Sequence, residues 1–394
     1  MQKKWVLVLT SALCLFTILS FIITLPEKPQ VFKDVTTTKS LLVANKNQIV
    51  KAAEPPVPTP SPVPQLYKMD WPKPDVVKGV YTTGWIAGSS KWFPRLIEFI
   101  DATPINALVV DIKDDTGNLS FLAEIPLAQS VNAAVKMIPE PEKMMQTLKE
   151  HAIYPIARIV VFKDPLLAKA KPEWAVKDIE GGLWTDRKGL HWVDPHNKEY
   201  WDYIVDIAKA AIRLGFQEIQ FDYVRFTSDG NTKRCLYPFG NGQAAEDVIE
   251  EFLKYTRTQL DQYGVPISAD IFGLTTSADA DLGIGQRFEK IAQQVDIVCP
   301  MVYPSHYIPG NFGLKNPNSQ PYQTVFCSVS DAIKRLEAAQ NTTTKIRPWL
   351  QDFSLGVHYG RTEIQAQIKA VEDAGLKEWL FWNPSCRYNI EKYL

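Results

Sequence analysis

The chain carries no surplus of charge of either sign. Its 394 residues hold 43 Lys and Arg against 44 Asp and Glu, so no net field gathers nucleic acid, and a nucleic-acid partner is not expected. Cysteine is scarce. Five in a chain of this length cannot staple a scaffold, and an odd number forbids complete pairing. Cys14 lies in the leading apolar run, Cys299 in a strand-like run, and Cys235, Cys327 and Cys386 near loops, which leaves room for one disulfide. No pair has C-x-x-C spacing, and neither a metal nor another cofactor is expected. A Gly-x-Gly-x-x-Gly turn after the first strand is also missing, which argues against an open doubly wound sheet.

Aromatic residues, by contrast, are plentiful at 11%, with 11 Trp, a composition suited to stacking against flat ligands. Lys3 and Lys4 precede an apolar run from Trp5 to Leu25 that is long enough to cross a bilayer. Residues 1–25 are therefore read as a transmembrane anchor or signal segment. That places the remainder outside the cytoplasm, membrane-anchored at the cell surface or in the periplasm, or secreted if the segment is cleaved. Residues 26–75, centred on Pro55-Pro-Val-Pro-Thr-Pro-Ser-Pro-Val-Pro64, cannot build a core and read as a disordered, semi-rigid spacer.

From residue 76 to 394 apolar runs alternate with helical periods. The runs fall at Val77 to Thr82, Ala107 to Ile112, Tyr154 to Phe162, Phe216 to Phe226, Pro266 to Phe272, Asp296 to Tyr303, Ile346 to Phe353 and Trp379 to Trp382. Between them lie Phe93 to Ile100, Pro141 to His151, Glu199 to Leu214, Ala244 to Tyr263, Gln286 to Gln294, Val329 to Ala339 and Glu363 to Ala374. Strands alternating with helices in this way predict an α/β fold, a (β/α)8 TIM barrel. Asp194-Pro195 reads as the start of the helix that follows, and Gly215, Gly264 and Gly375 each close a helix before the next strand.

In such a barrel the carboxyl ends of the strands form the active face. Those ends supply Asp111, Lys113 and Asp114, then Arg158 and Lys163, then Asp222, Tyr223 and Arg225. Asp270 follows, then Tyr303 and His306, then Trp349, Gln351 and Asp352, and finally Trp382 and Asn383. Carboxylates on neighbouring strands can straddle a glycosidic bond, one as a proton donor and the other kept ionised. Asp222, beside Arg225, suits the charged role, and Asp270, among apolar neighbours in Ser268-Ala-Asp-Ile-Phe-Gly273, suits the protonated one. Asp352 would be a third carboxylate, binding hydroxyls and stabilising positive charge. Asp111, Lys113, Arg158, Tyr223, Arg225, Tyr303, His306, Trp349, Gln351, Trp382 and Asn383 would bind substrate. Trp85, Trp184 and Trp192 would offer further stacking faces.

Each assignment has a structural alternative. Asp222 and Arg225 could form an ion pair, Asp270 and Asp352 could order loops, and Asp111 and Asp114 could belong to a salt-bridged rim. Asp111, Asp114, His191, Asp194 and His196 also admit a metal-dependent deacetylase or hydrolase.

Several blocks in order carry a resemblance: Val77-Lys-Gly-Val-Tyr-Thr-Thr-Gly84, Val110-Asp-Ile-Lys-Asp114, Trp192-Val-Asp-Pro195, Glu218-Ile-Gln-Phe-Asp-Tyr-Val-Arg-Phe226, Met301-Val-Tyr-Pro-Ser-His-Tyr307, Trp349-Leu-Gln-Asp352 and Trp382-Asn-Pro384. From about Val76 onward the chain resembles the bacterial putative glycosyl hydrolase domain family, itself distantly similar to barrel glycosidases. Similarity to the alpha-amylase-like clan implies a nucleophile at Asp222, an acid/base at Asp270 and a further carboxylate at Asp352. This chain departs from that clan at Asp270, where Glu is usual. The expected function is glycoside hydrolysis on a cell-envelope or extracellular polysaccharide. The alternative is a membrane-anchored carbohydrate-binding scaffold without catalysis.

Overall fold

The structure, a computed structural model, describes residue 71 and residues 73–394. The anchor read from residues 1–25, with its apolar run 5–25 and Cys14, and the spacer read from residues 26–75 as far as residue 70 lie outside the described residues. Among the described residues no helix is long and apolar enough to cross a membrane.

Eight staves close into a cylinder. They are β1 (Lys78–Thr82), β2 (Ala107–Lys113), β3 (Tyr154–Val160), β4 (Glu218–Asp222), β5 (Ile267–Phe272), β6 (Ile297–Met301), β7 in two pieces (Lys345–Ile346 and Trp349–Gln351) and β8 (Trp379–Trp382). Each pairs with the next in parallel and β8 returns to β1, so the anticipated α/β barrel is the fold found. The break in β7 falls at Arg347-Pro348, because proline brings no amide hydrogen to a ladder. Before it, the Arg347 amide bonds to Val298 of β6; after it, the Pro348 carbonyl accepts from Leu380 of β8. Only Trp349 of the second piece still pairs with β6, through Met301.

The wall separates two cores. Val80, Leu108, Val110, Ile159, Ile219, Phe221 and Ile271 face outward under the helices, while Val109, Tyr154, Ile156, Cys299 and Leu380 fill the interior. Burial of each large side chain contributes about 1.5–3 kcal/mol. β4 shows the period-2 rule plainly. Ile219 and Phe221 point out, whereas Glu218, Gln220 and Asp222 point in, where Glu218 bonds to Arg347 and Ser268, and Gln220 to Cys299.

The helix Lys198–Leu214 is capped by Asn197, whose side chain accepts from the amides of Glu199 and Tyr200. Asp194 is thus not its cap; it instead accepts from His196 and from the Phe239 amide. The helix ends at Gly215, at φ 111° in the left-handed region that glycine adopts without cost. The helix expected from Val329 begins earlier, at Pro321, and runs to Ala338, because its first turns bury the small polar residues Thr324 and Ser328. A short antiparallel pair, Lys177–Asp178 with Cys235–Leu236, lies outside the cylinder and was too brief to leave a periodic signal. The four described cysteines are free thiols.

Candidate active site

β3 and β4 end side by side, with Arg158 aligned with Gln220, two residues short of the level of Asp222 and on the same face of the sheet. This brings a guanidinium against a carboxylate. Arg158 Nε donates to Asp222 Oδ2 at 3.0 Å, and Nη2 donates to the same oxygen. Its third nitrogen, Nη1, donates to Asp111 Oδ1 on β2, and the Tyr81 hydroxyl on β1 donates to Asp111 Oδ2. The cation beside Asp222 is therefore Arg158, and the anticipated Asp222–Arg225 pair is not formed. The other Asp222 oxygen accepts from the Tyr223 amide at 2.6 Å. Tyr223 has φ 51°, a left-handed conformation costly for a tyrosine, of the kind concentrated at functional sites.

Asp270 lies on the neighbouring stave β5. Its Oδ1 accepts from Trp349 Nε1 at 2.7 Å, and its Oδ2 is 4.0 Å from Arg158 Nε. Burial, and then the negative charge of Asp222, push the Asp270 pKa well above the usual carboxylate range, outweighing Arg158 and the indole donor. Burial likewise raises Asp111, to about 6, against the pull of Arg158. The two catalytic candidates thus have unlike partners: Asp222 is gripped by a guanidinium, while Asp270 has, among the described residues, only an indole within bonding distance.

Both line one cleft of about 440 Å³ at the carboxyl ends of the strands. Arg158, Tyr223, Arg225, Tyr303, His306, Trp349 and Trp382 line it with them. Trp382 stacks on Tyr81 at 3.9 Å between centroids, and the Arg158 guanidinium lies 5.1 Å from the Trp382 ring. Burial, and then the charges of Asp270 and Asp222, push the Tyr303 pKa far up, so its hydroxyl stays a proton donor.

Other expected site residues lie elsewhere. Asp352 does not line the cleft. It is sealed behind it, with Oδ1 accepting from Lys392 Nζ at 2.6 Å and Oδ2 from the Tyr393 hydroxyl at 2.9 Å. Lys113 is turned away by a bulge: Asp111 aligns with Arg158 but Lys113 with Ile159, so one extra residue sits between them. Its ammonium ends on the Val160 carbonyl and Asp164, fully buried. Gln351 ties the Ser305 amide to the Phe353 carbonyl, and Asn383 bonds to Ser385 and the Arg387 carbonyl. Both order loops. Trp184 and Trp192 are buried rather than open to a sugar, and Trp85 is exposed but outside the cleft.

The residues of the metal reading are spread apart by their own bonds. Asp114 accepts from the Thr116 and Asn118 amides, His191 meets the Trp184 carbonyl, and His196 meets Asp194. Among the described residues no three His, Cys, Asp or Glu side chains form a metal-binding group. Sequence reasoning missed Tyr81, Phe272, Leu282, Tyr307 and Asn311. Tyr81 and Phe272 had a signal, since they fall near or at the carboxyl ends of β1 and β5; Leu282, Tyr307 and Asn311, outside the strands, had none of that kind.

The profile of the family described as a putative glycosyl hydrolase domain matches residues 79–388. A hypothetical protein from Ruminiclostridium thermocellum ATCC 27405 is 42% identical over 48% of this chain and 96% of that one, with a TM-score of 0.45. The PgaB (BpsB) glycoside hydrolase domain from Bordetella bronchiseptica is 12% identical, with 79% of this chain and 95% of that one covered at a TM-score of 0.57. Alpha-L-fucosidase isoenzyme 2 from Paenibacillus thiaminolyticus is 15% identical, with 81% and 48% covered at a TM-score of 0.53. At these low identities, the last two similarities bear on fold alone. No curated protein matches the chain.

Proposed function

The chain belongs to the putative glycosyl hydrolase domain family, and on that footing we propose that it hydrolyses glycosidic bonds of a polysaccharide in the cell envelope or matrix. One observation carries the reading: two carboxyl groups on adjacent staves face one cleft, Asp222 gripped by Arg158 and Asp270 driven toward its protonated form. Asp270 donates its proton to the glycosidic oxygen as the bond from that oxygen to the anomeric carbon breaks. Asp222 either bonds to that carbon or takes a proton from the attacking water. Each carboxylate approaches Arg158 Nε, at 3.0 and 4.0 Å, so their Oδ2 atoms lie no more than about 7 Å apart. That span includes the roughly 5–5.5 Å of retaining enzymes and reaches the shortest inverting separations. Tyr303, Trp382 and His306 supply polar and stacking contacts along the cleft. Placement outside the cytoplasm rests on the apolar run 5–25 alone.

Asp222→Asn should fold and bind glycan but lose turnover by several orders of magnitude, read as reducing ends released from a glycan panel. Undiminished turnover removes Asp222 from the mechanism. One observation favours the scaffold reading, since both oxygens of Asp222 are already engaged by the protein. Glycan binding with no release of reducing ends over long incubation would decide for it.

A further inference from the structure

Arg225 is a buried cation that no carboxylate of the described residues meets. It lines the cleft at 7% exposure. Its guanidinium lies among the rings of Trp192, Tyr223 and Phe272, at 4.8, 5.0 and 4.8 Å from their centroids. One nitrogen is spent: Nη1 donates to the Phe226 carbonyl at 3.0 Å and to Ser228 Oγ at 2.8 Å. Nε and Nη2 donate to nothing among the described residues, and neither is sealed from solvent. This is the edge with which Arg158 grips Asp222, two parallel N–H groups spaced for a carboxylate.

Such an arrangement is costly without an anion. Burial pulls the Arg225 pKa below that of an ordinary arginine, and the negative charge of Asp222 offsets this only in part. The aromatic rings fix the plane of the group, so the open edge is held in one orientation rather than free to fold back. The surrounding charge also permits an anion. Asp111 and Asp222 share Arg158, and Asp270 is driven toward its neutral form.

We propose that Arg225 is the subsite for a carboxylate-bearing sugar, a uronic acid unit, so that the polysaccharide cleaved is an acidic one. This rests on the hydrolase reading for its cleavage step, but the anion subsite can be tested by itself. The probes are glucuronate, glucose and glucose 6-sulfate, added to the full-length chain during thermal unfolding. Glucuronate should raise Tm saturably, by about 2 °C at tenfold excess over its dissociation constant, and glucose should do less. Arg225→Gln and Arg225→Lys should both abolish the advantage of glucuronate, the second because lysine keeps the charge but lacks the paired donors. Equal stabilisation by glucose, greater stabilisation by glucose 6-sulfate, or a glucuronate effect that survives Arg225→Gln would each overturn the proposal. If Arg225→Gln does not fold, the wild-type comparison and Arg225→Lys carry the test. Cleavage of neutral glycans without glucuronate binding sinks the acidic substrate and leaves the hydrolase. Glucuronate binding without cleavage of any acidic polysaccharide does the reverse.

Discussion

Arg158 holds Asp222 by one edge of its guanidinium, with Nε 3.0 Å from Oδ2, and holds Asp111 by its remaining nitrogen. A planar fork is needed to serve both carboxylates at once, and an ammonium cannot reproduce it. Arg158→Lys should therefore lower kcat by roughly 100-fold while changing KM less, because the charge arrangement at the reacting carbon is lost more than sugar stacking. Steady-state kinetics on a polysaccharide cleaved by the wild type gives both constants. A change confined to KM would mean that Arg158 only binds substrate.

Asp270 should set the alkaline limb of kcat/KM, at a pH above the ordinary carboxylate range, since it must carry a proton to donate one. The Trp349 indole favours the ionised form by donating to it. Trp349→Phe removes that donor, so the alkaline limb should move to higher pH. A pH profile that stays in place would break the link between Trp349 and the acid.

Asp111 should make the fold less stable as the pH rises from 4 to 6. Its folded-state value of about 6 lies above the 3.8 of an ordinary aspartate, so the folded chain binds the extra proton. Its stabilising contribution is thus complete below 3.8 and is lost as pH climbs through 6, a difference of about 3 kcal/mol. Denaturant unfolding at several pH values should show this decline in the wild type and a flatter curve in Asp111→Asn. Parallel curves would count against it.

Asp352 should matter to stability rather than to chemistry. Asp352→Ala leaves Lys392 and the Tyr393 hydroxyl without their buried acceptor, which should cost roughly 2–4 kcal/mol. Activity per folded molecule should hold. A loss of kcat without a loss of stability would return Asp352 to the mechanism.

Much of this was legible in the chain, and the reason differs by residue. The barrel was legible because each stave is a compact apolar run and each helix has its own period, signals that do not depend on distant contacts. Asp222, Asp270, Tyr303 and Trp382 were found because the ends of strands in a barrel must converge. Arg158 as the partner of Asp222 was not, because residues 64 positions apart are matched by the register of β3 on β4, whereas Arg225 is nearer in sequence. Lys113 was misplaced because one bulge reverses the facing of every residue after it. Asp352 was misplaced because its partners come from the last few residues of the chain, which show no pattern of their own. The early start of the helix Pro321–Ala338 was hidden by small polar residues on its buried face.

The interrupted seventh stave has one more effect. Beyond its break, the cylinder is fastened to β6 by the single pair Trp349 and Met301, and the same tryptophan is the one that reaches Asp270. Both members of that pair line the cleft. The last stitch of the seam and the support of the proton donor are thus one side chain, so any loosening of the barrel at that point would be felt first by its acid.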